Sequence, residues 1–132
     1  MKVKFLTTIF LLTFAKSIFA SLPTIFIKEC YDGDTCTTSA GEKIRLACIN
    51  TPELKGWRAA PIPANSAREF LNNLLANEEV YIKRIKNDKY GRTVAELFKD
   101  EVNIQELIVK KGYGEIYKRY AYLCEWSKTN NL

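Results

Sequence analysis

Three short β-rich segments follow one another between residues 24 and 48, and they constrain the fold of this chain more than any other feature. The segments cover residues 24–31, 35–38 and 42–48. An Asp32-Gly33 turn separates the first two, and Ser39-Ala40-Gly41 has the length of a hairpin loop between the second and third. The folded part of the chain is therefore predicted to begin with three strands.

An amphipathic helix is predicted after an irregular loop. Three prolines and Gly56 lie between residues 51 and 63, which is typical of a surface loop. Ser66 and Glu69 then have the spacing of a capping box, so we expect a helix to begin at Ser66. Its apolar face holds residues spaced three and four apart, namely Ala67, Phe70, Leu71, Leu74 and Leu75.

Two more strands and a closing helix complete the pattern. Alternation of apolar and polar residues returns at Val80 and Ile82 and again over residues 93–98. A second short helix is predicted over residues 105–111, before Gly112. This order of elements is compatible with a small closed β-barrel of the OB type, although the order alone does not select that fold.

Residues 1–20 have the layout of a secretory signal peptide. Lys2 and Lys4 precede an apolar run over residues 5–15, and a short stretch ends the segment at Ala20. A permanent transmembrane helix is the alternative, but the run is short for a membrane span and Lys16 interrupts it. We therefore expect cleavage after Ala20, a single domain over residues 21–132, a secreted or periplasmic location, and no membrane attachment after cleavage.

Charge and composition narrow the chemistry. Residues 1–20 contain three Lys, so the remaining domain has 17 basic and 15 acidic residues and a net charge of +2. A balance this small does not by itself indicate nucleic-acid binding, which must be inferred from the local placement of Arg and Lys. The chain has no His, which excludes imidazole acid–base catalysis and His-ligated metals. Its chemistry must then use carboxylates, Arg, Lys, Tyr or Cys.

The cysteines of an exported chain are expected to form structural disulfides. They are Cys30, Cys36, Cys48 and Cys124. Four cysteines allow three pairings, and the sequence does not choose among them. A zinc site is the alternative, but the spacings lack the paired C-x2-C knuckles that are typical of such sites. A bond from Cys124 back to the barrel would staple the C-terminal end of the chain.

Four short motifs select the fold and suggest a function. They are Asp32-Gly33-Asp34-Thr35, Gly41-Glu42-Lys43-Ile44-Arg45-Leu46, Asn50-Thr51-Pro52-Glu53 and Asp88-Lys89-Tyr90-Gly91-Arg92. In this order and spacing they strongly resemble the staphylococcal nuclease (thermonuclease) family, over about residues 24–120. The resemblance implies an α+β fold, a five-stranded OB-fold barrel with helices. Because the chain stops at Leu132, we expect the C-terminal helix of that family to be short or missing.

The resemblance also implies calcium-dependent hydrolysis of DNA and RNA phosphodiesters with low sequence specificity, leaving 3'-phosphate ends. Its metal ligands would be the Asp34 carboxylate, the Thr51 backbone carbonyl and the Asn50 side chain, oxygen donors that suit Ca²⁺. The family more commonly has Asp where this chain has Asn50, so one negative charge is missing. Taken alone, Asp34 is equally compatible with a turn residue, because Asp-Gly favours turns.

Three charged residues are predicted to carry the catalysis. By resemblance, Glu53 would hold or deprotonate the attacking water. Arg45 and Arg92 would each present a planar fork of donors to the phosphate oxygens, on which negative charge builds. The alternatives are a solvated loop carboxylate for Glu53 and structural ion pairs for the arginines. Alternation along the strand points Arg45 away from Ile44 and Leu46, out of the core.

Lys89, Tyr90 and Tyr117 are the predicted substrate contacts. Tyrosine faces that stack on bases, beside cations on phosphates, are typical of a groove for single-stranded nucleic acid. We therefore expect DNA and RNA as partners, preferably single-stranded, and a monomeric protein. The alternative from another class is a catalytically silent nuclease-like OB module that binds nucleic acid or protein. A pure binder has no need of Glu53.

Overall fold

The computed structural model describes residues 18–129. Its strands are β1 (Thr24–Cys30), β2 (Thr35–Thr38), β3 (Lys43–Leu46), β4 (Ile49–Asn50), β5 (Glu79–Asn87), β6 (Thr93–Lys99), β7 (Val102–Asn103) and β8 (Glu115–Ile116). Its α-helices are α1 (Pro61–Leu75), α2 (Ile104–Lys110) and α3 (Glu125–Thr129), and 3-10 turns cover Ile18–Ser21 and Lys118–Leu123. Most of the predicted signal peptide, residues 1–17, lies outside the described residues. No helix in the described part is both long enough and apolar enough to cross a membrane.

Five strands close into a barrel, as predicted. β1 pairs antiparallel with β2 on one side and with β5 on the other, β2 pairs with β3, and β5 pairs with β6. A parallel pairing of β3 with β6, in register at Arg45 and Val94, closes the ring. The chain therefore has an α+β fold, with a five-stranded barrel of the OB type, a few helices and a short C-terminal helix α3.

Alternating apolar side chains fill the barrel, and α1 packs on it. The fully buried ones include Ile27, Ile44, Leu46, Ile82 and Leu97 of the strands and Leu71 and Leu75 of α1. Burying each such side chain contributes roughly 1.5–3 kcal/mol. Because Ile44 and Leu46 point inward, Arg45 between them leaves the core, as alternation predicted.

The helix α1 begins at Pro61, earlier than the predicted start at Ser66. The capping-box prediction is wrong, because Ser66 lies inside the helix, where its hydroxyl donates to the Ile62 carbonyl at 3.2 Å. Prolines are tolerated in the first helical turn because the first N–H groups of a helix have no helical acceptor. Pro61 and Pro63 therefore start the helix instead of ending a loop.

The chain returns to the barrel after the second helix. This helix is confirmed as α2, and Asn103 caps it by accepting a hydrogen bond from the Glu106 N–H at 3.0 Å. The following strand β8 pairs with β4, where Ile49 lies opposite Ile116. The short β4–β8 pair therefore brings residues after α2 against the segment that carries the third sequence motif.

The four cysteines form two disulfides, and the structure defines the pairing that the sequence left open. Cys30–Cys36 joins β1 to β2 at directly paired positions. Cys48–Cys124 joins the β3–β4 connection to the residue before α3, across a sequence separation of 76. The second bond staples the C-terminal segment to the barrel, as expected for Cys124.

Candidate active site

Arg45 on β3 lies at the centre of a cluster of oxygen atoms. Its Nη1 donates to the Leu46 carbonyl, and its Nη2 donates to the Ile49 carbonyl at 2.9 Å and to Asn50 Oδ1 at 3.1 Å. The same Nη2 lies 3.3 Å from Asp34 Oδ2, and the side chain of Arg45 is only 15% exposed. These contacts between Arg45 and protein oxygens fix the orientation of its guanidinium group.

The β1–β2 turn carries Asp34 into this cluster because Gly33 permits a close approach. A Cβ on Gly33 would lie 2.7 Å from the Ala67 Cβ and 2.9 Å from the Thr51 Cβ. Asp34 Oδ2 accepts a hydrogen bond from the Thr51 N–H at 3.3 Å, and Asp34 Oδ1 accepts one from the Thr35 hydroxyl at 3.1 Å. Glycine at position 33 therefore keeps the turn within hydrogen-bonding distance of Thr51.

Asp32 lies beside Asp34 and has a raised pKa. One of its carboxylate oxygens accepts a hydrogen bond from the Asp34 N–H at 3.0 Å. Burial and the neighbouring Asp34 carboxylate raise the pKa of Asp32 to about 6. The carboxylates of Asp32 and Asp34 repel each other when both are ionised, and a cation beside them lowers the energy of that repulsion.

The predicted metal ligands near Asp34 are hard oxygen donors, and two of them already have a cationic partner. Asp34 Oδ2 and Asn50 Oδ1 both contact Arg45 Nη2, and the Thr51 N–H donates to Asp34 Oδ2. The Thr51 hydroxyl is a further oxygen, which is buried and has no hydrogen-bond partner among the described residues. Within residues 18–129, no three Asp, Glu, His or Cys side chains form a metal-binding group. A cation here would therefore depend on neutral oxygens as well as Asp34, a donor set that suits Ca²⁺.

The strand β8 holds the proposed ligand segment from the other side. Asn50 lies opposite Glu115 in the β4–β8 pair. A Cβ on Gly114 would lie 2.7 Å from the Asn50 carbonyl oxygen and 3.0 Å from the Thr51 Cγ2. Glycine at position 114 therefore permits the close contact that positions Asn50 and Thr51.

Arg92 is fixed by Asp88 in the β5–β6 turn. Its Nε donates to Asp88 Oδ2 at 2.7 Å, while the N–H groups of Tyr90 and Arg92 donate to Asp88 Oδ1 at 2.9 and 3.0 Å. Partial burial acts to raise the pKa of Asp88, but the hydrogen bonds from Arg92 and Tyr90 outweigh it and hold that pKa below its usual value. The ionised Asp88 therefore orients Arg92 through Nε, and this pair does not use the Nη atoms.

Arg45 and Arg92 line one cleft of about 590 Å³, together with the predicted substrate contacts Lys89, Tyr90 and Tyr117. Tyr90 is 70% exposed. Lys89 Nζ lies 5.1 Å from the centre of its ring, and Arg92 Cζ lies 5.3 Å from it. An exposed ring beside two cations is a combination that can stack on a base while the cations contact phosphate oxygens.

The 3-10 segment Lys118–Leu123 forms one wall of this cleft. Arg119, Tyr120 and Leu123 line it. Tyr120 packs edge-on against Tyr117, with 4.9 Å between the ring centres, and Arg119 Cζ lies 5.5 Å from the Tyr120 ring. The wall thus adds a third aromatic side chain, Tyr120, and a further cation, Arg119, to the cleft that Tyr90 and Tyr117 line.

Cys48 ties this wall to the barrel. The Tyr117 N–H donates to the Cys48 carbonyl at 2.8 Å, and the Cys48–Cys124 disulfide anchors the end of the 3-10 segment. Cys48 has a φ of 68°, in the left-handed region that residues other than glycine rarely adopt. The left-handed conformation at Cys48, which turns the chain from β3 into β4, is unfavourable in free energy. The hydrogen bond and the disulfide therefore stabilise it.

Glu53 lies in a second cleft, of about 420 Å³, which Asn50 and Thr51 also line. Its side chain is exposed, and its backbone is fixed because the Ala60 N–H donates to the Glu53 carbonyl at 2.9 Å. The structure thus places Glu53 beside the proposed ligand segment and not in the cleft of the two arginines. Asn50 connects the clefts, because it lines the second and accepts a hydrogen bond from Arg45 in the first.

Comparison with known proteins identifies the family of this chain. The family model described as staphylococcal nuclease homologue matches residues 43–130. The chain belongs to the staphylococcal nuclease family. The matched region contains Arg45, Glu53 and Arg92, and it begins after the turn that carries Asp34.

Three curated relatives are similar to this member of the staphylococcal nuclease family. An uncharacterized endonuclease of Haemophilus influenzae is 32% identical over 95 residues, which make up 69% of this chain and 51% of that protein. An uncharacterized protein of Bacillus anthracis is 37% identical over 92 residues, 64% of this chain and 43% of that protein. Endonuclease YncB of Bacillus subtilis is 28% identical over 111 residues, 79% of this chain and 51% of that protein. The chain spans about half the length of these relatives.

Further basic residues line the clefts of this staphylococcal nuclease domain beyond the predicted substrate contacts. Lys86 and Arg119 line the cleft of Arg45, and Arg58 lines the cleft of Glu53. Lys86 follows a register shift in β5, so alternation could not indicate which side of the strand it occupies. Arg119 lies in a 3-10 turn without periodicity, and its only sequence signal is the density of tyrosines and basic residues near the C-terminus.

Proposed function

We propose that this chain is a secreted, calcium-dependent nuclease that hydrolyses phosphodiester bonds of DNA and RNA with low sequence specificity, leaving 3'-phosphate ends. The observation that carries the proposal is the cleft shared by Arg45 and Arg92, in which Arg45 also contacts the oxygen atoms of Asp34 and Asn50. Family membership and the endonuclease names of two of the relatives support the reaction class.

In this proposal the two arginines bind and orient the scissile phosphate. Negative charge builds on its non-bridging oxygens during hydrolysis, and donors that are already fixed stabilise that charge without reorganisation. Arg45 is held by surrounding oxygens and Arg92 by Asp88, so both guanidinium groups are oriented before substrate arrives. The Nη atoms of Arg92, which its pair with Asp88 does not use, suit two phosphate oxygens at once, whereas Arg45 offers its positive charge and the N–H groups that its protein contacts leave over.

Glu53 is the proposed acceptor for the proton of the attacking water. The chain has no His, so a carboxylate is the natural general base near neutral pH, and Glu53 is exposed to water beside the proposed ligand segment. A calcium ion bound by Asp34, Asn50 and Thr51 would supply positive charge beside the phosphate.

The aromatic side chains of the first cleft support a preference for single strands. Tyr90, Tyr117 and Tyr120 line it beside basic residues. A base inside a duplex has both faces covered, whereas an unpaired base can stack on such rings. We propose that the enzyme acts as a monomer. Secretion is supported by the two disulfides, since such bonds persist in oxidising compartments.

Digestion of single-stranded DNA tests the proposed function. With millimolar Ca²⁺ the purified chain is expected to degrade the DNA, and EDTA in excess is expected to stop the reaction because the proposed metal site is emptied. Products with 3'-phosphate ends are expected to resist extension by terminal transferase until a phosphatase removes the phosphate.

A Glu53→Gln variant purified in parallel controls for contaminating nucleases, since the same contaminants would accompany it. If the chain binds the DNA but leaves it intact at every calcium concentration, the nuclease proposal fails. The catalytically silent binding module is then the better description.

Asn50→Asp is expected to lower the calcium concentration for half-maximal activity on the order of tenfold, with little change in turnover at saturating calcium. The substitution adds an anionic ligand beside Asp34, and the affinity of oxygen sites for Ca²⁺ rises with their charge. A calcium titration of the initial cleavage rate measures the shift. With Asn50 we expect saturation only at roughly 10⁻⁴ to 10⁻³ M calcium, as in extracellular sites.

Asn65→Asp is the matched control for this titration. Asn65 is exposed on α1, so the variant adds the same charge away from the proposed ligands. It is expected to leave the calcium dependence unchanged. An Asn50→Asp variant with the parent calcium dependence would show that Asn50 is not a ligand.

A further inference from the structure

The loop between Thr51 and α1 presents an exposed tryptophan beside the second cleft. Trp57 is 87% exposed, the highest value among the large hydrophobic side chains of the described residues. Arg58 Cζ lies 4.4 Å from the centre of its ring. The guanidinium group therefore covers one face of the indole, and the exposure of the ring leaves the other face available to a ligand.

The position of this loop is defined by Glu53. The Ala60 N–H donates to the Glu53 carbonyl at 2.9 Å, and Glu53 and Ala59 form an isolated β-bridge. Arg58 lines the same cleft as Glu53. Arg58 therefore lines the cleft that contains the proposed general base, and its guanidinium group connects Trp57 to that cleft.

The chemistry of this pair matches the groove on the other side of Asn50. In the first cleft, Tyr90 is an exposed ring with cations close to its face, and Trp57 with Arg58 repeats that combination in the second. A ring and a guanidinium group together suit one nucleotide, because the base stacks while the cation contacts the phosphate. An apolar protein surface would match the indole but would leave Arg58 without an anionic partner.

We propose that Trp57 and Arg58 form a second nucleotide subsite, in which an unpaired base stacks on Trp57 and its phosphate contacts Arg58. The inference rests on the proposed function and extends it. A single strand then occupies both clefts, with one nucleotide in the tyrosine-lined cleft and another at Trp57, and the phosphate that Arg45 and Arg92 bind lies along the strand between these two nucleotides. Substrates too short to reach both clefts bind more weakly.

Fluorescence anisotropy of fluorescein-labelled octathymidylate tests the subsite. All chains carry Glu53→Gln, so the probe stays intact. Trp57→Leu keeps an apolar side chain but removes the π-face, and it is expected to weaken binding about 5- to 150-fold, the range for loss of one stacked base. Trp57→Phe keeps a ring and is expected to bind within a few-fold of the parent. The quenching of tryptophan emission by octathymidylate is expected to be lost in Trp57→Phe, although Trp126 remains.

Two controls separate this subsite from the proposed function. Tyr122→Leu removes another exposed ring, 64% exposed and lining neither cleft, and is expected to leave binding unchanged. A blunt-ended DNA duplex is expected to bind equally to the parent and to Trp57→Leu, because its bases are paired and stacked within the helix and are not free to stack on the indole. If the parent does not bind octathymidylate at all, the proposed function fails. If it binds and Trp57→Leu binds as tightly, the proposed function stands and the subsite is overturned, with a second copy of the chain or another protein as the partner of Trp57.

Discussion

Arg45→Ala, Arg92→Ala and Glu53→Gln are each expected to lower the turnover of single-stranded DNA at least about a hundredfold at saturating calcium. Loss of one fixed donor to a developing negative charge raises the activation barrier by about 3–4 kcal/mol, which lowers the rate at least about a hundredfold. Loss of a general base lowers the rate by about a hundredfold or more. The initial rate of DNA hydrolysis, measured with calcium and DNA both in excess, reports the turnover. An effect on KM alone would assign the residue to substrate binding.

The three substitutions differ in their expected effect on the fold. Glu53 is exposed, so Glu53→Gln is expected to change the free energy of unfolding by less than about 0.5 kcal/mol. Arg45→Ala leaves the Asp34 carboxylate and the Asn50 amide without the guanidinium group that joins them, so some loss of stability is expected. Arg45→Lys separates the two effects, because it keeps a positive charge near Asp34 but lacks the planar fork.

Arg84→Ala is the matched control for the arginines. Arg84 forms an ion pair with Glu42 at 2.6 Å and lines neither cleft. The Arg84→Ala variant therefore loses a cation and its contact with a carboxylate, as Arg92→Ala does, but it removes no group from the proposed site. Full activity in Arg84→Ala beside a hundredfold loss in Arg92→Ala supports the mechanism. If Arg45→Ala, Arg92→Ala and Glu53→Gln each cleave DNA at a near-normal rate, the proposed mechanism is wrong.

The fold was predictable because its strands obey local rules. Alternation places Ile44 and Leu46 inside and Arg45 outside, and the Asp32-Gly33 turn falls between β1 and β2 as expected. The start of α1 was not predictable from the capping-box spacing alone. Pro61 is equally compatible with a loop and with the first turn of a helix, and only packing of the apolar face decides between them.

The sequence proposes residues for the candidate site but does not indicate how they are arranged. The motifs propose Arg45, Glu53 and Arg92 as catalytic residues, yet nothing local indicates that Glu53 lines a different cleft from the arginines. The left-handed turn at Cys48, which lines the cleft of the arginines, also has no sequence signal, because Cys, unlike Gly or Asn, is not typical of that conformation. The wall of residues 118–123 depends in turn on a pairing of cysteines that spacing alone leaves open.

Cys48→Ala/Cys124→Ala is expected to lower the free energy of unfolding by about 4 kcal/mol, measured by urea denaturation. In the chain-entropy model, a disulfide stabilises by restricting the unfolded chain, and the restriction grows with the length of the closed loop. This bond closes a sequence separation of 76. The left-handed turn at Cys48 also loses one of the contacts that stabilise it.

Cys30→Ala/Cys36→Ala is the matched control, because both disulfides are buried to the same degree and differ mainly in the loop they close. Cys30 and Cys48 are each 4% exposed, and Cys36 and Cys124 are fully buried, so the packing lost is similar. The shorter bond has a sequence separation of 6 and is expected to contribute about 2 kcal/mol. A larger loss for the Cys30/Cys36 pair would contradict the loop-length argument.

The two pairs are also expected to differ in binding of single strands. Cys124 anchors the wall that presents Tyr120 and Arg119 to the first cleft, whereas Cys30–Cys36 lies between β1 and β2 and lines neither cleft. Without the Cys48–Cys124 disulfide, the wall is expected to move away from the barrel, because the hydrogen bond from Tyr117 to Cys48 restrains it much less. Octathymidylate is therefore expected to bind at least about fivefold more weakly to the Cys48/Cys124 variant, the loss of about one stacked base, and unchanged to the Cys30/Cys36 variant. Equal affinity in both variants, measured below their unfolding midpoints, would show that packing alone positions the wall.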